Sequence, residues 1–426
     1  MLRNILRAGR STFQPALRWI STTAEPGDLI VPKSEVMRYM TEVMKSVKVN
    51  PSHCQQLAEV LMEADIRGHY SHGLNRLEMY ANDINKKVCQ PDGTPKIEKE
   101  KGGSALVDGQ NLLGPVVGNF CMNLAVKKAK EAGVGWVTAR ASNHFGICGW
   151  YISRAMEHGV MAMAFTSTSP LMFPTRAAKA ALGTNPLSLG AMGTGGDYFL
   201  LDMATTAVAI GKVEIFKRKG RQIPPGWGVG GDGKPSTDCD EILAKGGLFP
   251  LGGPELNSGY KGYGLGALVE IFCGVLGGAH WGPHIRKWKS GTTPADLGQC
   301  FICIDTEAFA PGFNKRMQEF IDTMRNLPPA DGEKVLVPGD QERMHAKSVE
   351  EYGGIPYHPN QIKNAAEVAK KFNVKPMERL GGAAVTRGGR VAWRRGNAAR
   401  IGRDDAVIDF QAIKLHPKVK TNTLAN

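Results

Sequence analysis

The chain has 426 residues, 42% hydrophobic and 22% charged. This is ordinary globular composition, enough for a sizeable core, and it excludes a disordered or fibrous protein. The formal charge of +13 sits largely on the two ends, which with no RNA- or DNA-binding motif present argues against a nucleic-acid partner.

Residues 1–24, MLRNILRAGRSTFQPALRWISTTA, hold four arginines and no acid. Arg3, Arg7 and Arg10 share one helical face and Leu6, Phe13 and Leu17 another, the build of a mitochondrial transit peptide. Val36, Met37, Met40, Val43, Met44 and Val47 then make a helix stripe over 34–47, with Ser34 as its N-cap. Pro51 and Ser52 restart a helix that continues through Cys54, Leu57, Leu61 and Ala64 and frays at Gly68. LNRLEMYANDI (74–84) predicts a third helix. These segments define an N-terminal helical region over 32–101.

From about Gly102 the texture changes to short β-branched runs split by glycine, with helical stretches such as NFCMNLAVKKAKEAG between them. The pattern predicts a mixed α/β domain over 102–310. Helices return at 315–327 and 359–372, forming a C-terminal helical region over 311–376. Residues 377–426 show no helix or strand period and read as a poorly ordered basic tail. The longest apolar run, LGALVEIFCGVLGGA (265–279), is interrupted by Glu270, is too short to span a membrane, and reads as a buried helix. Of the eight cysteines, Cys300 and Cys303 form a lone C-x-x-C in an apolar run. They read as buried thiols rather than a metal or redox site, and a reducing compartment fits.

Several stretches carry chemistry. ADIRGHYSHGLNR (64–76) puts His69, His72 and Arg76 on a glycine-flanked helix exit. GVGGDG (228–233) matches a dinucleotide fingerprint but leads into KPSTD rather than a helix, so it is rejected. GYGLGA (262–267) opens a helix after Lys261, where free N–H groups and a cation would suit an anion. SNHFGICGWY (142–151) sets His144 at a glycine-rich strand exit. Thr184, Asn185, Thr205 and Thr206 can bond a ligand or cap helices, and Asp202 can orient a histidine or cap the next segment.

The ordered set SHG-x-x-R (71–76), NHFG (143–146), GTNP (183–186), LDMATT (201–206), IPPGW (223–227), DGKPSTD (232–238), PLGG (250–253), YKGYGL (260–265), GVLGG (274–278), GQCFICID (298–305), VPGD (337–340) and GGIP (353–356) resembles the type 2 malate/L-lactate dehydrogenase family over roughly residues 32–375. The resemblance implies an α+β fold without a Rossmann domain: a largely antiparallel sheet that binds NAD or NADP, flanked by a helical domain from both chain ends, in a homodimer. It implies reduction of a 2-oxo acid such as oxaloacetate, and the reverse oxidation of the 2-hydroxy acid, with no metal, membrane or nucleic acid involved. His72 takes the position of the acid/base histidine, His144 that of the second active-site histidine, and Asp202 joins them as a catalytic candidate. Arg76 falls where the family binds the substrate carboxylate, with Thr168, Thr184 and Asn185 as further substrate contacts. Leu201, Asp202, Met203, Ala204, Tyr260, Lys261, Gly339, Asp340 and Gln341 are the expected cofactor contacts. A cyclic ketimine reductase and a non-catalytic nucleotide-binding relative are the alternatives. Two departures stand near the expected cleft: Ser167 where the family often has Asn, and PTRAAK (174–179), which adds Arg176 and Lys179.

Overall fold

The computed structural model describes residues 24–218, 220–287, 290–330, 332–380, 383–385 and 391–393. The first helix, Lys33–Ser46, starts one residue before the expected cap and follows Pro32, with no side chain capping it. Val36, Tyr39, Met40, Val43 and Met44 form its buried stripe, the i, i+3, i+4 pattern of a helix packed on one side. The second helix, Pro51–Ile66, is fixed at its start by Asn50, whose Oδ1 accepts the Ser52 N–H at 2.9 Å, and by Pro51 in the first turn, where no amide is needed. After Gly68 the chain crosses an irregular segment and a single 3-10 turn, Leu74–Arg76, into the helix Leu77–Asn85.

A seven-stranded sheet carries the middle of the chain. Its spatial order is Lys96–Lys101, Ser104–Asp108, Val134–Ser142, Leu297–Asp305, Val160–Thr166, Leu187–Met192 and Tyr198–Met203. Every neighbouring pair is antiparallel except Ser104–Asp108 with Val134–Ser142, which the helix Gly114–Ala132 connects in parallel. The sheet is therefore largely antiparallel and is no doubly wound Rossmann sheet. The central strand, Leu297–Asp305, is paired on both sides and buried from Leu297 to Cys303, which suits its largely apolar run. Cys300 and Cys303 are buried there as free thiols.

The chain ends close over the N-terminal helices. Leu29–Val31 pairs antiparallel with Ile355–Tyr357, and the Tyr39 hydroxyl donates to the Ala365 carbonyl at 2.7 Å across the helix Pro359–Lys371. One contiguous apolar core links Tyr39, Leu61, Tyr151, Phe301 and Tyr357, so the helical layer and the sheet share their interior.

Three expectations need correction, and one helix went unread. The helix Asp340–Tyr352 went unread because it buries only Asp340, His345 and Val349, too few apolar positions to make a stripe. The sheet begins at Lys96, inside the region read as helical; the wholly exposed KIEKEK is a charged edge strand without alternation. The reading of 377–426 as lacking strands fails at Ala383–Val385, which pairs with Leu29–Val31, and at Val391–Trp393, which pairs with it in turn; the rest of that tail, like residues 1–23, lies outside the described residues. The run 265–279 is not a buried helix. The helix Gly259–Glu270 passes into a π-helical turn, Ile271–Val275, and Ile271, Val275 and Leu276 are 54%, 57% and 57% exposed. No helix among the described residues is long and apolar enough to cross a membrane.

Candidate active site

The site is built where the exit of the helix Pro51–Ile66 meets the end of the strand Val134–Ser142. Asn143, just past that strand, is held by its side-chain amide, which donates to the Leu112 carbonyl at 2.8 Å. Gln299 on the central strand donates to the Asn143 carbonyl at 2.9 Å. Phe145 is buried against Tyr151 with ring centroids 4.7 Å apart, and the Tyr151 hydroxyl donates to the Phe145 carbonyl at 2.6 Å. Such a stacked pair contributes about 0.5–1.5 kcal/mol beyond its buried area. Gly146 turns the chain with φ of +82°, where a Cβ would overlap Val60, and the helix Cys148–Met156 follows. His144 is thus fixed on both flanks.

Two donors reach Nδ1 of His144: the Tyr80 hydroxyl at 2.6 Å and the Gly146 N–H at 3.3 Å. A backbone N–H can only donate. Nδ1 is therefore the acceptor, and the neutral ring carries its proton on Nε2. Burial, and then the positive charge of Arg76, push the His144 imidazole down to about 3. His72 stacks on this ring, with centroids 5.9 Å apart and planes 19° from parallel. Its Nδ1 shares a hydrogen bond with the Ser71 hydroxyl at 2.9 Å. Burial, then His144 and Arg76, hold His72 well below the usual imidazole range. Arg76 is itself buried, four residues beyond His72 at the end of the 3-10 turn. A Cβ on Gly211, at the start of the helix Ile210–Arg218, would stand 3.8 Å from its Nη2.

Beside His144 a pocket is lined by Tyr80, Asp83, Thr168, Ser169 and Arg286. Thr168 and Thr184 form one unit there: the Thr184 N–H donates to Thr168 Oγ1 at 2.8 Å. Asn185 has φ of +35°, an uncommon conformation for a residue other than glycine. Its Oδ1 accepts the Thr168 N–H at 3.2 Å, and its Nδ2 donates to Glu270 at 2.6 Å and to the Gly266 carbonyl at 3.0 Å. Burial raises the Glu270 carboxyl. Its other oxygen accepts the Gly282 N–H at 2.8 Å. Arg286 pairs with Asp83 and donates to the Thr293 carbonyl at 2.9 Å. Thr205 also belongs to this frame, its hydroxyl donating to the Asn185 carbonyl at 3.1 Å.

Asp202 lies elsewhere. Its Oδ2 accepts the Gly149 N–H at 2.6 Å in the first turn of the helix Cys148–Met156. Burial raises its carboxyl, and the histidine that offsets this is His69. His69 stands 3.6 Å from Glu342. The sequence assigns His69 no role.

Leu201 and Met203 lie on the edge strand Tyr198–Met203, with Ala204 just beyond it. The start of the helix Asp340–Tyr352 meets this strand: the Leu200 N–H donates to the Pro338 carbonyl at 3.0 Å, and Gly339, with φ of +99°, packs on Leu200. Gln341 follows in the first turn. The Asp340 carboxylate is turned inward to Arg325 at 2.7 Å, to Arg343, and to the Val337 N–H at 2.9 Å. Tyr260 and Lys261 stand exposed in the first turn of the helix Gly259–Glu270. They approach the strand end through Thr205, whose carbonyl accepts the Leu251 N–H at 2.9 Å, while Gly262 packs so closely on Leu251 that a Cβ would overlap its backbone. Strand-end backbone, an exposed tyrosine and one exposed cation would suit an extended dinucleotide.

Of the two departures, Ser167 is a lock between strand ends, exchanging hydrogen bonds with Gly298 at 3.2 and 3.1 Å. Arg176 is turned to Glu255 at 2.7 Å. Tyr80 and Arg286 went unread. Tyr80 had a signal: it follows Arg76 by four residues, as Arg76 follows His72. Arg286 had none, lying in an irregular loop.

The largely antiparallel, non-Rossmann sheet, with two stacked histidines and a buried arginine beyond the end of the strand Val134–Ser142, is shared with a class of hydride-transfer oxidoreductases that use a nicotinamide cofactor. The chain belongs to the malate/L-lactate dehydrogenase family, whose model matches residues 31–365. A malate dehydrogenase of Pyrococcus abyssi is 36% identical over 352 residues, covering 82% of this chain and 96% of that protein. An L-sulfolactate dehydrogenase of Methanocaldococcus jannaschii is 36% identical over 317 residues, covering 74% and 89%. The solved malate dehydrogenase of Pyrococcus horikoshii superposes with a TM-score of 0.76 at 32% identity, over 83% of this chain and 98% of that one.

Proposed function

We propose that the protein interconverts a 2-oxo acid and its 2-hydroxy acid, with oxaloacetate and malate as the leading pair. The observation that carries this reading is the stacked His72–His144 pair with Arg76 buried four residues on. Arg76 meets the substrate carboxylate with its two-pronged fork. Burial is the main cause of the depression of both imidazoles, and that contact neutralises the Arg76 charge that adds to it. His144, with Nδ1 already occupied, presents Nε2–H to the substrate oxygen as a donor. His72 keeps the acid/base role: it takes up a proton as the carboxylate binds and gives it to the alkoxide formed on reduction, and in oxidation it accepts the hydroxyl proton. Thr168 and Thr184 close the far side.

Leu201–Ala204, Tyr260, Lys261 and Gly339–Gln341 would hold the cofactor, with Asp340 contributing backbone only. A bound nicotinamide supplies the hydride. Homodimer formation is supported by the apolar face of Ile271, Val275 and Leu276 left uncovered on one chain. The arginine-rich residues 1–24 support delivery to the mitochondrial matrix.

A substrate panel tests the reading: oxaloacetate, pyruvate, a branched 2-oxo acid, sulfopyruvate and a cyclic imino acid, each with NADH and with NADPH. Turnover of one 2-oxo acid is expected. Turnover of the imino acid alone would move the assignment to a ketimine reductase.

A further inference from the structure

Asp65, a buried acid with no part in this chemistry, sits on the last turn of the helix Pro51–Ile66 with no exposed surface. Its Oδ2 accepts the Leu74 N–H at 2.9 Å and the Tyr357 hydroxyl at 2.7 Å. Its Oδ1 has no hydrogen-bond partner, and among the described residues no cation pairs with it. Burying a carboxyl this way is costly, and burial pushes this one up to about 7.

The placement of that costly group is specific. Leu74 lies two residues after His72 and two before Arg76. Gly73, between them, packs so closely that a Cβ would overlap the Asp65 carboxylate. Behind it, Tyr357 belongs to the strand Ile355–Tyr357, and Tyr70 meets that ring edge-on at 5.9 Å. The carboxyl therefore grips the one peptide from which both His72 and Arg76 are aimed.

We propose that Asp65 is a positioning residue of the reaction, acting through the Gly73–Leu74 peptide to set the direction in which His72 and Arg76 meet the substrate. This rests on the roles given to His72 and Arg76 above. Asp65 touches neither substrate nor cofactor. A carboxyl that only held the fold would change stability and leave the turnover of folded molecules alone.

The test uses the full chain. Asp65→Ala removes the acceptor; should the void unfold the protein, the apolar near-isostere Asp65→Val replaces it. Asp65→Asn keeps an oxygen for the Leu74 N–H. With NADH or NADPH and the 2-oxo acid that responds, kcat of the Ala or Val variant is expected to fall on the order of 100-fold, the scale of a small misplacement of reacting groups. Cofactor affinity, read by nicotinamide fluorescence, stays within about twofold, and Asp65→Asn recovers kcat to within about fivefold. Amide exchange over residues 68–76, read by mass spectrometry, is expected to quicken about tenfold in the Ala or Val variant and not in Asp65→Asn. A folded Ala or Val variant with wild-type kcat overturns the proposal, and so does unchanged exchange in that segment. If the wild type turns over no acid in the panel, the reading of the reaction has failed, and the exchange result alone still decides whether Asp65 holds the segment.

Discussion

At the scale of single residues, the site turns on where protons sit. The Gly146 N–H and the Tyr80 hydroxyl both point at Nδ1 of His144, so its Nε2 carries hydrogen and the ring serves as a donor. Tyr80→Phe leaves the ring in place and removes the shorter bond. Steady-state kinetics are expected to show kcat lowered about tenfold, equivalent to about 1.4 kcal/mol; an unchanged kcat would remove Tyr80 from the account. His72 is held well below the ordinary imidazole value of 6.5, so the free enzyme has it neutral at pH 7. Neutral imidazole is the form needed to accept a proton. The kcat/KM for oxidation should therefore be level above pH 6.5 and fall in acid, while kcat/KM for reduction rises as pH falls. Opposite slopes in a pH–rate series would reverse the assignment of acid and base.

At the scale of elements, legibility followed burial pattern. The helices 34–47 and 51–66 were readable because apolar residues recur on one face, and the strand over GQCFICID because CFIC is an unbroken apolar run. The helix Asp340–Tyr352 buries three residues only and KIEKEK buries none, so neither left a periodic mark. The segment 265–279 misled for a different reason. Its apolar side chains run all round, a mark of burial, but part of that surface stands exposed on this chain. On the dimer reading, Leu276→Asp places a charge at the centre of that face. Sedimentation is expected to show the wild type as a dimer and this variant dissociating at least about tenfold more readily, the cost of burying an unpaired charge. A wild type that sediments as a monomer would contradict the reading.

At the scale of the whole molecule, the fold brings distant segments to one seam. His72 and Arg76 come from a helix exit, His144 from a strand end, and Tyr357, which braces Asp65, from the last third of the chain. The first three stand out as candidates in their motifs. Their support does not, because Asp65, Tyr80 and Glu270 act through contacts that spacing does not encode. Asp65 also gives the molecule a pH signature. Its carboxyl, at 3.8 in the unfolded chain and about 7 in the native one, keeps its proton in the native state over a window in which the unfolded chain loses it. Stability therefore falls as pH rises through that window. Asp65→Asn does not titrate, so its stability relative to wild type is expected to improve by up to about 4 kcal/mol between pH 4 and pH 8 in urea unfolding. A pH-independent difference would contradict this.

The central claim is that His72 performs the proton transfer in a site assembled around it. The most direct measurement is His72→Ala in the full chain, following nicotinamide absorbance with the responsive 2-oxo acid and, separately, cofactor binding by fluorescence. The account predicts turnover reduced at least about 1,000-fold, the scale of general acid–base catalysis, with cofactor affinity unchanged. Turnover within a few-fold of wild type would contradict it and leave the proton to another group.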